Sequence, residues 1–331
     1  MNRSERLGRR WARRAVTLPA VFLGLTIWLA CLPFLVLLAG VVDLVAGGKY
    51  TVVRFVLAVA WVLGSEVVGV LASGLFWLRR QTGWSEVAWL HAHYRFQAAW
   101  LSGMLHAAAW LFRMRIRVEG AELAAAGPVL MLVRHASVFD TLLPAALVSR
   151  PYGLRLRYVI KRELLWDPCL DIVGQRLPNA FIRRRSLDPG YQVAAVGSLG
   201  RGLGVHDGAL IFPEGTRFSA RRQAQLREAS TGPAALTEAA RELQHVLPPR
   251  IGGVQALLEA APDADVVVCA HTGFERVRRV SDMWTGGLWN REIGVRFWRI
   301  PRAEVPDEPE ARKAWLLAQW REVDAYVGDQ R

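Results

Sequence analysis

His135 and Asp140 are the pair in this chain best suited to move a proton. They stand five residues apart in VRHASVFD, residues 133–140. The apolar run from Pro128 to Val133 precedes the histidine, and TLLPAALV follows the aspartate. A short unbroken apolar run reads as a buried strand, and the stretch after it as the opening of a helix. An imidazole at a strand's end can take a proton from a bound hydroxyl. A carboxylate on its Nδ1 would fix the tautomer and stabilise the imidazolium that forms. Five residues do not share a helical face, so the two side chains meet only if the chain turns between them. The alternative is plain structure, because aspartate is a favoured helix N-cap and a histidine at a strand end is often only a hydrogen-bonding group.

A second stretch has the same form. In GALIFPEGTR, residues 208–217, an apolar strand runs into Pro213-Glu214-Gly215-Thr216-Arg217. Gly215 permits a tight turn with positive φ. Glu214 offers an acceptor, Thr216 a hydroxyl, and Arg217 a planar fork that can hold a phosphate by two parallel hydrogen bonds. Alone, FPEGTR reads equally well as a charged surface turn.

The two stretches together resemble the glycerolipid acyltransferase family, of the lysophosphatidic acid acyltransferase type. His135 and Asp140 match its H-x4-D block, and residues 212–217 match its FPEGTR block letter for letter. Between them, Phe181, Ile182 and Arg184 in NAFIRRR match its F-I-x-R pattern, and KREL at 161–164 is similar to its connecting segment. The resemblance covers roughly residues 115–275. It implies that His135 and Asp140 form the catalytic dyad. It also implies that Arg184, Glu214, Gly215, Thr216 and Arg217 bind the acceptor, with Lys161 a further candidate for that pocket. Arg134 stands where the family often has asparagine, and Cys269 in VVVCAHTGF stands near a usual proline. The implied substrates are a lysophospholipid and an acyl thioester, either acyl-CoA or acyl carrier protein, with no metal or redox cofactor. The simplest acceptor is 1-acyl-sn-glycerol-3-phosphate, and another lysophospholipid or a glycolipid is the alternative. Outside catalysis, the alternative is a protein that keeps the fold only to bind anionic lipid.

Composition agrees with a membrane setting. The chain has 331 residues, 52% of them hydrophobic, and a formal charge of +13. Lysines occur only at 49, 161 and 313, so arginine carries that charge. A basic balance suits an anionic surface. Zinc-finger spacing, an RNP-like stretch and a basic heptad arm are all missing, which argues against nucleic acid. Cys31, Cys169 and Cys269 are odd in number and scattered, which argues against a disulfide framework.

The elements that must position the site follow from the hydrophobic pattern. Residues 15–47 are almost unbroken apolar, long enough for a transmembrane helix. A signal peptide is the alternative, but the run is too long and no A-x-A-like site closes it. Phe55 to Leu78 is a second span, interrupted only by Glu66, which is either functional or a packed polar group. Arginines flank the outer ends of both spans, so the positive-inside rule predicts a hairpin with both ends, and the catalytic domain, on the cytoplasmic face. Residues 84–113, rich in tryptophan, predict one or two amphipathic interfacial helices. From residue 114, short apolar strands alternate with helical stretches, as at 189–200 and 233–245. That alternation predicts an α/β fold, a mixed sheet flanked by helices. Pro248-Pro249 and Gly252-Gly253 predict a loop over 245–254. The sequence thus divides into an anchor (1–80), interfacial helices (81–113) and an α/β acyltransferase domain (114–331) that ends in a helix.

Overall fold

The computed structural model describes residues 7–47, 49–182, 189–228 and 234–330. Its compact units do not follow chain order. One comprises the chain up to Arg115 with Val159–Arg185 and Arg279–Arg291; the other comprises Ile116–Tyr158, Ser186–Arg278 and Glu292–Arg331.

The first unit is mainly helical. Helices α1 (Leu7–Val45) and α2 (Thr51–Gln81) make the expected hairpin. At 1.5 Å per residue they run about 58 and about 46 Å. Both exceed the length needed to cross a bilayer core of about 30 Å, and both are apolar enough to do so. The Asp43 carboxylate closes the hairpin by accepting from the amides of Val52 and Val53 at 3.1 and 2.9 Å. These amides open α2 and have no partner within the helix. Glu66, the polar interruption, is buried and accepts from the Cys169 amide at 3.0 Å. It is thus a packed polar group holding a segment far away in sequence.

Residues 84–113 form a single helix, α3 (Glu86–Phe112), capped by the Ser85 hydroxyl on the Ala88 amide. Tyr94 of α3 packs with Cys169, Val173 and Leu177. His93 donates from Nδ1 to the Trp89 carbonyl and accepts on Nε2 from Arg176. Burial lowers its pKa to about 4, so it stays a neutral structural group. Arg13 and Arg14 both reach Asp171, at 2.7 and 2.8 Å.

The second unit carries most of the sheet. Its strands are β1 (Arg115–Glu119), β2 (Val129–Val133), β3 (Arg155–Lys161), β5 (Asp207–Ile211), β6 (Asp265–His271) and β7 (Glu292–Ile300), in the order β1-β7-β6-β2-β5-β3. β2 is parallel to β5 and β6, and β7 is antiparallel to β6. β3 crosses from one unit into the other. Its first four residues pair with β5, and its last three with β4 (Ala180–Ile182), both in parallel.

Every residue of β2 is fully buried, as an unbroken Val-Leu-Met-Leu-Val run requires when helices cover both faces. Leu132 lies opposite Ile211, and Val133 opposite Cys269. The chain therefore leaves β2, β5 and β6 at one edge of the sheet. That edge, at the carboxyl ends of parallel strands, is where open α/β sheets place their ligands.

Helices of the same unit include α4 (Pro189–Gly197), α5 (Ala220–Arg227), α6 (Ala234–Glu242) and α7 (Ile251–Ala260). The glycine pair expected in a loop lies inside α7 instead. A Cβ on Gly253 would come within 2.7 Å of Ile211 Cδ1. The glycine is there to let α7 lie close on β5. The terminal helix α8 (Pro309–Asp329) buries Leu316, Trp320, Val323 and Val327, one stripe at helical spacing.

Candidate active site

The turn required between His135 and Asp140 is made by the aspartate itself. Its Oδ2 accepts from the Ala136 amide at 2.6 Å, and both oxygens accept from the Ser137 amide at 3.0 and 2.8 Å. The backbone folds back over the carboxylate, which brings His135 Nδ1 to 3.0 Å from Asp140 Oδ2. A carboxylate beside two amides can only accept, so Nδ1 carries the proton and donates. Nε2 is then left with a free lone pair. The His135 side chain keeps a small exposed edge, 11%, while Asp140 has none. The arrangement can receive a proton at Nε2 and hold the resulting charge against Asp140.

The FPEGTR turn supports the histidine from three sides. Phe212 stacks on its ring at 4.4 Å between centroids. The Phe218 amide donates to the His135 carbonyl at 2.8 Å. Glu214 Oε1 accepts from the His135 amide at 2.8 Å, while Oε2 accepts from the Leu247 amide at 3.1 Å. Glu214 was expected among the acceptor ligands. The structure places it in the interior instead, 1% exposed, with both oxygens on backbone amides. Burial pushes its pKa up to about 8, against the pull of the His135 amide and of Arg134.

The other expected ligands have different surroundings. Gly215 sits at φ 67°, so the turn needs a residue without a Cβ. Thr216 and Arg217 are half-buried, and Arg217 donates from Nη1 to the Arg278 carbonyl at 3.1 Å. Lys161 closes β3, in the first unit. Arg184 lies outside the described residues. Among the described residues, no group of three or more His, Cys, Asp or Glu side chains could hold a metal ion.

Two residues not singled out from the sequence complete this end of the sheet, His271 and Glu275. His271 Nε2 donates to the Arg134 carbonyl at 3.0 Å and stands 3.4 Å from Asp140 Oδ1. Burial lowers its pKa, so it faces the aspartate as a neutral ring. Arg134 is fully buried, paired with Glu275 at 2.7 Å and donating to the His271 and His245 carbonyls. It is therefore an internal brace for the loops beside the dyad. The available signal for His271 was the one that found His135, a histidine at the end of an apolar strand.

Residues 115–271 match the family model described as Acyltransferase. That segment, less than half of the chain, holds the dyad and the turn described above. A curated relative, 1-acyl-sn-glycerol-3-phosphate acyltransferase epsilon of Mus musculus, is 27% identical over 198 residues. That match covers 57% of this chain and 54% of the relative, so it spans about half of the mouse protein's length. The fold is similar to the crystal structure of the 1-acyl-sn-glycerophosphate (LPA) acyltransferase PlsC from Thermotoga maritima. The TM-score is 0.51 at 15% identity, covering 82% of this chain and 97% of that one.

Proposed function

We propose that the protein is a membrane-bound O-acyltransferase that moves an acyl chain from an acyl thioester to the hydroxyl of a lysophospholipid. The acceptor in the mouse relative's name, 1-acyl-sn-glycerol-3-phosphate, is the simplest choice and would give phosphatidic acid. The donor is acyl-CoA or acyl carrier protein. The observation that carries the reading is the His135 Nδ1 to Asp140 Oδ2 contact of 3.0 Å, which leaves Nε2 free.

His135 takes the proton of the acceptor hydroxyl, whose oxygen attacks the thioester carbonyl directly. The thiolate leaves and takes up the proton, so no acyl-enzyme forms. Asp140 holds the ring and stabilises the imidazolium. Glu214 positions the histidine through its amide, and Arg217, with Arg184 and Lys161 as further candidates, faces the anionic headgroup. Holding hydroxyl and carbonyl together contributes at most about 7–11 kcal/mol to lowering the barrier. The α1–α2 hairpin spans the membrane, and its flanking arginines set the catalytic domain on the cytoplasmic face.

The test is thiol release from oleoyl-CoA by detergent-purified protein, with and without lysophosphatidic acid, alongside His135→Ala. Acceptor-dependent release that is lost in the variant supports the reading. Release that survives His135→Ala refutes the assignment of the base.

A further inference from the structure

His271 is a fully buried titratable group to which the proposed reaction gives no task. It closes β6, the strand beside β2, and follows closely on the paired residues Val133 and Cys269. Its ring therefore stands at the edge of the sheet where His135 begins the turn. Positions 134 and 271 lock each other there. The His271 ring donates from Nε2 to the Arg134 carbonyl at 3.0 Å, and the Arg134 guanidinium donates from Nη1 to the His271 carbonyl. That guanidinium is itself held by Glu275 at 2.7 Å. The Arg134 carbonyl belongs to the peptide that leads into His135. The N–H of the same peptide donates to Glu214 Oε1 at 2.8 Å. His271 and Glu214 thus grip one peptide from both sides, and that peptide sets the direction in which the His135 side chain leaves the backbone.

The same ring nitrogen also bears on the aspartate, since His271 Nε2 stands 3.4 Å from Asp140 Oδ1. Oδ2 is crowded by His135 Nδ1 and the amides of Ala136 and Ser137. Oδ1 accepts from the Ser137 amide at 3.0 Å, an N–H that it shares with Oδ2. An N–H dipole beside Oδ1 opposes rotation of the carboxylate and so keeps Oδ2 toward His135. His271 can do this without discharging Asp140, because it is neutral. The charged groups facing it are Asp140, Arg134 and Glu275. Burial lowers its pKa, and Arg134 adds to that effect against the pull of Asp140 and Glu275. A cation in its place would pair with Asp140 and compete with the imidazolium that forms on His135. A neutral donor orients the aspartate and leaves its charge for the base.

We propose that His271 is a positioning residue of the dyad, whose Nε2–H fixes the Arg134–His135 peptide and the Asp140 carboxylate relative to each other, a deduction that rests on the acyl-transfer reading. Two neutral variants separate the donor from mere bulk. A glutamine amide places its N–H groups where Nε2 stands. An asparagine amide places them near Nδ1, which makes no hydrogen bond among the described residues. In thiol release from oleoyl-CoA with lysophosphatidic acid, full-length His271→Gln should keep kcat within about threefold of the wild type. His271→Asn should lose about tenfold or more, the scale of one hydrogen bond to a charged group. KM for either substrate should stay within about twofold, because the lost interaction serves the base and not binding. In an Asp140→Asn background His271→Asn should cost little more, since it acts through that carboxylate. Equal losses in both backgrounds, or equal losses in the two variants, make His271 a packing group and overturn the proposal. Should His271→Asn not fold, His271→Gln decides alone, because a loss of that size there overturns the role of the donor. Proton NMR of the full-length proteins needs no turnover. The His135 Nδ1 proton, assigned by its loss in His135→Ala, should give a low-field resonance in the wild type and in His271→Gln, and should shift or vanish in His271→Asn. A resonance unchanged in His271→Asn, or absent from the wild type, overturns the proposal. The expected resonances in a protein that transfers no acyl chain would leave the positioning intact and refute the acyl-transfer reading instead.

Discussion

At the scale of single residues, Asp140 does two things with one carboxylate. It orients His135, and it accepts from the amides of Ala136 and Ser137 that make the turn. Asp140→Asn cannot serve all these donors, because its amide nitrogen must face at least one of them. We expect kcat to fall on the order of 10²–10⁴-fold, the range for losing general-base catalysis. The melting temperature should fall too, since a buried donor left without a partner costs about 1–3 kcal/mol. Loss of activity with an unchanged melting temperature would refute the double role. Glu214 gives a prediction in pH. Its folded pKa is raised from 4.5 to about 8 by burial. The folded state then binds the proton more tightly than the unfolded chain does, so stability falls as pH rises from about 4.5 through about 8. Glu214→Gln does not titrate. Its melting temperature should lie below the wild type's at pH 5, and the gap should narrow by pH 8.5. A gap that widens over that range would show that Glu214 is held ionised. The dyad was legible because both residues are local to one turn. The role of Glu214 was not, since its partners stand 79 and 33 residues away and nothing in FPEGTR says that the carboxylate points inward.

At the scale of elements, the strands were legible and the use of glycine was not. β2 and β5 follow from short apolar runs with turn residues after them, and the chemistry sits where those runs end. Gly252-Gly253 reads equally as a turn or as a close helix contact, because the missing Cβ serves both. The structure decides for the contact, with α7 laid on β5 at Gly253. The non-local helical unit was also hidden. Cys169 and Asp171 meet Glu66, Arg13 and Arg14 across more than 100 residues of sequence, a separation no local pattern records. The α7–β5 contact is testable by size. At Gly253, alanine meets only the flexible tip of Ile211 and should cost less than about 1 kcal/mol. Leucine should cost about 1–3 kcal/mol as an overpacked core does. Because β5 leads directly into the turn that carries Glu214, Gly253→Leu should also lose acyl transfer. Urea unfolding of both variants checks the order. Leucine tolerated as well as alanine would mean that the helix does not lie where the structure places it.

At the scale of the whole molecule, two attractions could hold the chain to a membrane, and they respond oppositely to salt. The formal charge of +13 would draw it to anionic lipid. At 1 M salt the Debye length shrinks to about 3 Å, and that attraction largely vanishes. The apolar helices α1 and α2 keep most of their surface uncovered by the protein, with Leu23, Phe34, Leu37 and Val41 of α1 and Val68 and Leu71 of α2 each more than half exposed. Covering each such side chain is worth about 1.5–3 kcal/mol and is not weakened by salt. Summed along two helices, this term exceeds any screened surface attraction, so anchoring should be apolar. Membranes from expressing cells, washed with 1 M sodium chloride and then with alkaline carbonate, should keep the full-length protein in the pellet, and detergent should release it. Replacing the exposed residues Leu23, Phe34, Leu37 and Val41 with serine should move an appreciable fraction into the carbonate supernatant, because the helix then has less to gain from lipid. Release of the unaltered protein by salt alone would make the basic surface the anchor, and the hairpin would then have to bury its apolar faces against protein.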